Sequence, residues 1–322
     1  MDAADACATM ACPAGEVCSA GACKTPCEAA DDNPSNVGCD FWAADLPNEA
    51  AGFNDAEAQQ FAIVAANDND AAVMVTVTKN AASIPAVTEA TVVQVSVPPH
   101  SASRIDLPQR EVDGTMQQNG TYAPNTGGTF VSPHAYHVVS DQPIVVYQFN
   151  PIIQQFSNDA STLIPKSAVG KDYVIVGYPT ANPCGITGAT PDASIPDHTA
   201  VTIVPIEDDT HVTVVTTHPI SASVTGSGIA IPKTPKGGQV DLQLSRYMAA
   251  SLSSDQVIGS FSDCIAAAMN QDGDFTGTTV HADKPIVVFA SNVRGIGFGG
   301  ADNVVYPPDW DSTDNICCTD HL

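Results

Sequence analysis

The stretch SDQPIVVYQFNP (residues 140–151) returns, little changed, as ADKPIVVFASNV (residues 282–293). Each copy opens on Asp-x-Pro and runs into Val- and Ile-rich sequence with the composition of a β-strand. Proline carries no N–H, so at the first position of a strand it removes no ladder hydrogen bond. Asp141 and Asp283, just before Pro143 and Pro285, are placed to set the start of that strand. Other landmarks repeat in the same order. FAIVAANDNDAAVMVTVTK (61–79) reads as two strands joined by a turn at Asn67-Asp68-Asn69-Asp70. AVTIVPIEDDTHVTVVTT (200–217) reads the same way, with its acidic turn at Glu207-Asp208-Asp209. The phrases NDASTLIP (158–165) and ADNVVYP (301–307) close the two copies.

The offset between copies is nearly constant: 140 residues from Ile63 to Ile203, 142 from Ile144 to Ile286 and 143 from Asp159 to Asp302. Landmarks in one order at one offset mark an internal duplication. A period of that length exceeds any solenoid repeat and fits two tandem β-sandwich-like domains. The expected architecture is all-β, with units at 40–178 and 179–322 behind a small module at 1–39. Helix is expected only in short pieces, NDAEAQQ (54–60) and LQLSRYMAASL (242–252).

The chain has 322 residues, 43% of them hydrophobic, enough for two cores and too ordered a composition for a disordered chain. Its net charge of −25 repels nucleic-acid phosphate and anionic lipid surfaces. No run of about 18 apolar residues offers a membrane span. The opening MDAADACATM has neither a basic n-region nor an apolar h-region, so an export signal is expected to have been removed from a larger exported protein.

Six cysteines, Cys7, Cys12, Cys18, Cys23, Cys27 and Cys39, crowd the first 39 residues. That segment has almost no large apolar residue besides Val17, so bridges must hold it. Zinc knuckles require paired Cys-x-x-Cys, which is absent, and a disulfide scaffold in an oxidising compartment is expected. A bridge from Cys39 into the module would fix its orientation. Cys184 and Cys264 are expected to join each other or to join Cys317 and Cys318.

No catalytic motif stands out: there is no GxSxG, HExxH, P-loop or GxGxxG. His134 and His137 form HAYH on a strand, where residues three apart face opposite ways, which favours a structural role over metal binding. GIGFGG (295–300) follows a strand with no helix behind it to cradle a phosphate. Asn270, Asp272 and Asp274 resemble a calcium loop but fail the EF-hand spacing, with Phe275 in place of the glycine and His281 in place of the final glutamate. Asp309 and Asp311 form a second acidic group, so both sets are weak metal candidates. Asn119-Gly120-Thr121 is a glycosylation sequon within a Gly-rich loop.

The phrases GCDFWAADLPN (38–48), FAIVAANDNDAAVMVTV (61–77), SDQPIVVYQFNP (140–151), NDASTLIP (158–165), GKDYVIVGYP (170–179), DKPIVVFASN (283–292) and CCTDHL (317–322) occur in an order that resembles the IgGFc-binding protein N-terminal domain family. The resemblance covers residues 38–322, and CPAGEVCSAGAC (12–23) is similar to the Cys-rich lead-in of bacterial, myxobacterial-type exported members. It implies a secreted or outer-surface binding or adhesion module, with no catalytic residue to carry over. Fc itself, the ligand behind the family name, is not implied for this chain. The expected partner is an extracellular protein or glycan, with self-association through sheet edges a further mode. The alternatives are a calcium-dependent carbohydrate or protein binder and a secreted hydrolase with a carboxylate site. No other cofactor is expected.

Overall fold

The computed structural model describes residues 7, 10–48, 56–123, 127–152, 160–177, 180, 184–186, 197–260, 262–263 and 273–293. The N-terminal module is a hairpin of β1 (Val17–Ser19) and β2 (Ala22–Lys24), followed by helix α1 (Pro26–Asp31). Ala20 and Gly21 make the hairpin turn with positive φ, 48° and 79°, a conformation that Gly21 adopts without strain. Disulfides Cys7–Cys18 and Cys12–Cys23 clamp the hairpin, and Cys27–Cys39 ties α1 to the body. Thr25 and Glu28 form a reciprocal capping box at the start of α1. Asp32 accepts from Lys24 at 2.6 Å and Ser19 at 2.6 Å, closing the hairpin onto the helix. No residue of α1 is buried, so covalent bridges and caps hold this module in place of a core.

The first unit contains β3 (Gly38–Ala43), β4 (Ala62–Asn67), β5 (Val73–Asn80), β6 (Glu89–Val97), β7 (Ser101–Asp106), β8 (Phe130–Ser132), β9 (Tyr136–Phe149) and β10 (Ala160–Thr162). Then follow β11 (Asp172–Val174), β12 (Cys184–Ile186), β13 (Thr199–Pro205), β14 (Thr210–Val215), β15 (Gln239–Leu244), β16 (Ala249–Ser253), β17 (Val257–Gly259), β18 (Thr279–Ala282) and β19 (Ile286–Asn292). The strands alternate as a half-buried sheet requires. In β15, Val240, Leu242 and Leu244 point inward and Gln239, Asp241 and Gln243 point outward.

The duplication is visible in the pairing. β5 pairs with β6 and β4 with β7, as β14 pairs with β15 and β13 with β16. The first half of β9 pairs with β5 and the second half with β4. In the second copy β18 pairs with β14 and β19 with β13. β3 flanks β9 as β11 flanks β18.

The repeated Asp-x-Pro phrase therefore marks the point where one strand leaves one sheet for another. Pro143 and Pro285 sit at that changeover, where a missing N–H costs nothing. The aspartate does a second job. Asp141 Oδ1 accepts from the Met74 N–H at 2.9 Å, and Asp283 Oδ1 accepts from the His211 N–H at 2.8 Å. Met74 and His211 are each the second residue of their strand, β5 and β14. Each carboxylate satisfies a backbone donor that the departing strand no longer covers.

Two sequence expectations change. Residues 242–252 are the end of β15, a turn and most of β16, which passes to the other sheet, rather than a helix, because the period-two alternation beginning at Val240 runs through Leu242 and Leu244. A turn at Ser245–Met248 then reverses the chain, with Tyr247 at φ 67°. Strand pairing also crosses the expected boundary at residue 178 twice. β8 joins the sheet β19-β13-β16-β8, and β11 joins the sheet β11-β18-β14-β15. The hydrophobic cores cross it as well. One cluster unites Phe41, Phe61 and Val146 with Val204, Tyr247 and Phe289, and the other unites Val131 with Ile203 and Phe275. The expected turn near 54–60 is present as a 3-10 turn at Ala56–Ala58.

Candidate binding face

Each unit places a histidine on the outward face of the same strand and an aspartate beside it. In the first unit His137 Nε2 lies 2.8 Å from Asp40 Oδ1, and in the second His281 Nδ1 lies 2.5 Å from Asp172 Oδ1. Register fixes how the faces correspond: Asp40, Val139 and Thr76 stand side by side as Asp172, His281 and Thr213 do, so Trp42, His137 and Thr78 correspond to Val174, Thr279 and Val215.

The two faces differ in what covers them. In the first unit Trp42 stacks on His137, with ring centroids 4.4 Å apart and 14° between planes. Tyr247, from the β15–β16 turn of the second unit, meets Trp42 edge-on at 5.0 Å. Its hydroxyl is 2.8 Å from Thr78 Oγ1 and donates to Glu89 at 2.5 Å. Tyr247 is fully buried there, and burial pushes its hydroxyl pKa well above the usual phenol range.

In the second unit the corresponding face is open. Asp172, Val174, His281, Thr279, Val215, Gln239 and Asp241 are exposed, above a buried underside of Val212, Val214, Val240, Leu242, Val280 and Ala282. Thr213 Oγ1 donates to Asp241 Oδ1 at 2.8 Å, and the Gln239 amide donates to the same carboxylate. Val174 and Val176 are 67% and 65% exposed and extend an apolar lip along the β11 edge. That edge is held firmly: the Tyr173 hydroxyl donates to Ile286 O at 2.7 Å and accepts from the Gly170 N–H at 2.8 Å. Among the described residues β11 ends its sheet, and its outer backbone groups meet no further strand of it.

Of the residues nominated from sequence, Asp274 closes a local turn, accepting from Thr276 N at 2.8 Å and Thr276 Oγ1 at 2.7 Å. Asn270, Asp272, Asp309, Asp311, Cys264, Cys317 and Cys318 lie outside the described residues, as does GIGFGG. Cys184 lies in β12, which runs parallel to β17. The two histidines of HAYH are not brought together on a common ligand. His134 is buried with Nδ1 2.7 Å from Glu111 O, and desolvation pushes its pKa down to about 3. His137 belongs to the stacked face described above. Sequence reasoning missed Trp42, Tyr247 and Glu89, whose meeting is wholly tertiary. His137 and His281, on the same face of corresponding strands but two residues out of step, were the one available signal.

Residues 159–306, the segment that includes the open face, match the family model described as IgGFc binding protein. No curated protein and no solved structure matches the chain.

Proposed function

We propose that the chain is a non-catalytic extracellular binding module that grips protein partners through the open face of the second unit. One observation carries this reading. The equivalent face of the first unit already holds a protein turn, with the Tyr247 hydroxyl bonded to Thr78 and Glu89. On the open face Val174, Thr279 and Val215 stand where Trp42, His137 and Thr78 stand on the covered one, and Thr213, Gln239 and Asp241 supply polar partners beside an apolar lip. A rigid edge with polar groups flanked by exposed valines suits an aromatic-bearing turn or an added strand. The disulfides and the family match support an oxidising, extracellular setting.

The test is a biolayer interferometry screen against purified secreted proteins and glycoproteins, IgG Fc among them, followed by Val174→Asp and Thr213→Arg variants. The ligand found is expected to bind either variant at least about tenfold more weakly, about 1.4 kcal/mol, while the melting temperature stays within a few degrees. A ligand whose affinity neither variant changes places the binding surface elsewhere.

A further inference from the structure

The open face of the second unit is ordered as two rungs across its strands. Val174, Thr279 and Val215 stand side by side on β11, β18 and β14, and all three are exposed. Two residues further along, Asp172, His281, Thr213 and Asp241 cross β11, β18, β14 and β15. Residues two apart on a strand share a face and lie about 7 Å apart. A largely apolar rung therefore runs beside an acidic one.

The corresponding rungs of the first unit are made differently. There the ring of Tyr247 is received by Trp42, His137 and Thr78, and its hydroxyl reaches Thr78 and Glu89. Val215 takes the place of Thr78 on the open face, so the seat for an incoming ring is more apolar. Glu89, opposite Asn80, has no acidic counterpart: β15 begins at Gln239, and the chain before it turns through Gly237, at φ 73°. A ring is held here by contact rather than through a hydroxyl.

The second rung differs in charge. Asp241 stands opposite Thr213 as Gln94 stands opposite Thr76, so a neutral amide in the first unit becomes a carboxylate in the second. Asp172 keeps the place of Asp40 and has His281 against it. Asp241 is aimed by neutral donors alone, Thr213 Oγ1 at 2.8 Å and the Gln239 amide at 2.8 and 3.0 Å. None of the ion pairs among the described residues includes it. His211, one rung further along β14, is the basic side chain whose charge it feels. A carboxylate accepts at about four lone-pair sites, so an incoming cation still finds room on it.

We propose that the open face takes a basic partner protein through an exposed extended segment that presents an aromatic ring and a Lys or Arg two residues apart. The ring lies over Val174, Thr279 and Val215, and the cation meets Asp241. This inference rests on the reading of the open face as the binding surface and names the chemistry of its partner. The spacing comes from the sheet. Asp241 is diagonal to Val215 across the β14–β15 pair, about 7–8 Å away, which matches side chains two apart on one strand. The net charge of −25 draws a basic partner and repels an acidic one. A second copy of this chain does not fit: it carries the same charge, and its Tyr247 is buried over its own first unit.

The experiment uses the full chain and three disulfide-closed β-hairpin peptides, identical except at two positions two residues apart on one face. One carries Phe and Arg, one Phe and Glu, and one Ala and Arg. By biolayer interferometry at low salt, the Phe/Arg hairpin is expected to bind at least about tenfold more tightly than either control. High salt is expected to close most of the gap between Arg and Glu, because the pairing is exposed. Asp241→Asn keeps the shape of the rung and is expected to erase the preference for Arg over Glu. Should that variant not fold, the salt series on the unaltered chain decides. A Phe/Arg hairpin that binds no better than Phe/Glu, or a preference that neither salt nor Asp241→Asn changes, overturns the proposal. The two readings fail separately. If a protein ligand from the screen still weakens with Thr213→Arg, the open face stands and only its aromatic and basic partner falls. If Thr213→Arg leaves the Phe/Arg hairpin bound as before, the open face is not its site and both readings fall.

Discussion

Tyr247→Ala is expected to lower the melting temperature by roughly 10 °C, from a loss of about 3–5 kcal/mol at about 2–4 °C per kcal/mol. The side chain is fully buried although it belongs to the turn between β15 and β16, because it fills the space over Trp42 and His137. Truncation removes that aromatic contact and leaves a cavity between the two units, which a rigid pair of sheets cannot collapse to fill. Tyr247→Phe keeps the ring and removes only the hydroxyl. Glu89 is exposed and can turn to water, so this variant is expected to lose only about 1 kcal/mol. If Tyr247→Ala melts within a degree or two of the unaltered chain, Tyr247 is not a roof over the first unit. The argument from the covered face to the open one then fails with it.

Arg110→Met is expected to be comparably damaging, at about 3–5 kcal/mol, read as a fall in denaturant midpoint at unchanged slope. The guanidinium donates to Pro133 O at 2.5 Å, Asn80 O at 3.2 Å and His134 O at 3.4 Å, and it lies over the Tyr136 ring at 5.8 Å. It thus joins the end of β5, the segment after β7 and the turn between β8 and β9. Methionine matches the stem but leaves three buried carbonyls without a donor. It also withdraws the nearest positive charge from Asp45. Lysine is expected to rescue little, because one ammonium cannot span three carbonyls that a planar fork reaches together. A midpoint shift below about 1 kcal/mol would show that Asp45 and the β8 strand are held by other means.

Much of the fold was legible because it is spelled locally. Asp141, Pro143, Asp283 and Pro285 mark the strand that changes sheets, and Asn67–Asp70 and Glu207–Asp209 mark the turns before β5 and β14. The cysteine spacing announced a bridged module, and the Cys27–Cys39 link is the expected tie from Cys39 into it. What stayed hidden is non-local. β8 and β11 are three residues long, and nothing in Phe130–Ser132 or Asp172–Val174 says which sheet each joins. The strand–turn–strand segment at 242–252 was misread as helix because the window opened at Leu242 and lost the alternation that begins at Val240.

The acidic residues show the limit most plainly. Among 36 carboxylates, the ones that looked organised in sequence were Asp272, Asp274, Asp309 and Asp311. The buried ones, Asp45, Glu57, Glu111 and Asp113, are scattered across three segments that meet only when β3, the 3-10 turn and the chain after β7 come together. Only the alternation Glu111-Val112-Asp113, with an equally buried valine, hinted that acid here faces inward.

The claim beneath all of this is that two copies of one β unit are fused through a shared core, so that a face covered in one copy is left open in the other. Differential scanning calorimetry of the oxidised chain tests it most directly. The shared cluster that joins Phe41 and Phe61 to Val204 and Phe289 predicts one transition, with calorimetric and van't Hoff enthalpies equal. Two resolved transitions would show the copies to be independent beads and would remove the ground for reading one face from the other.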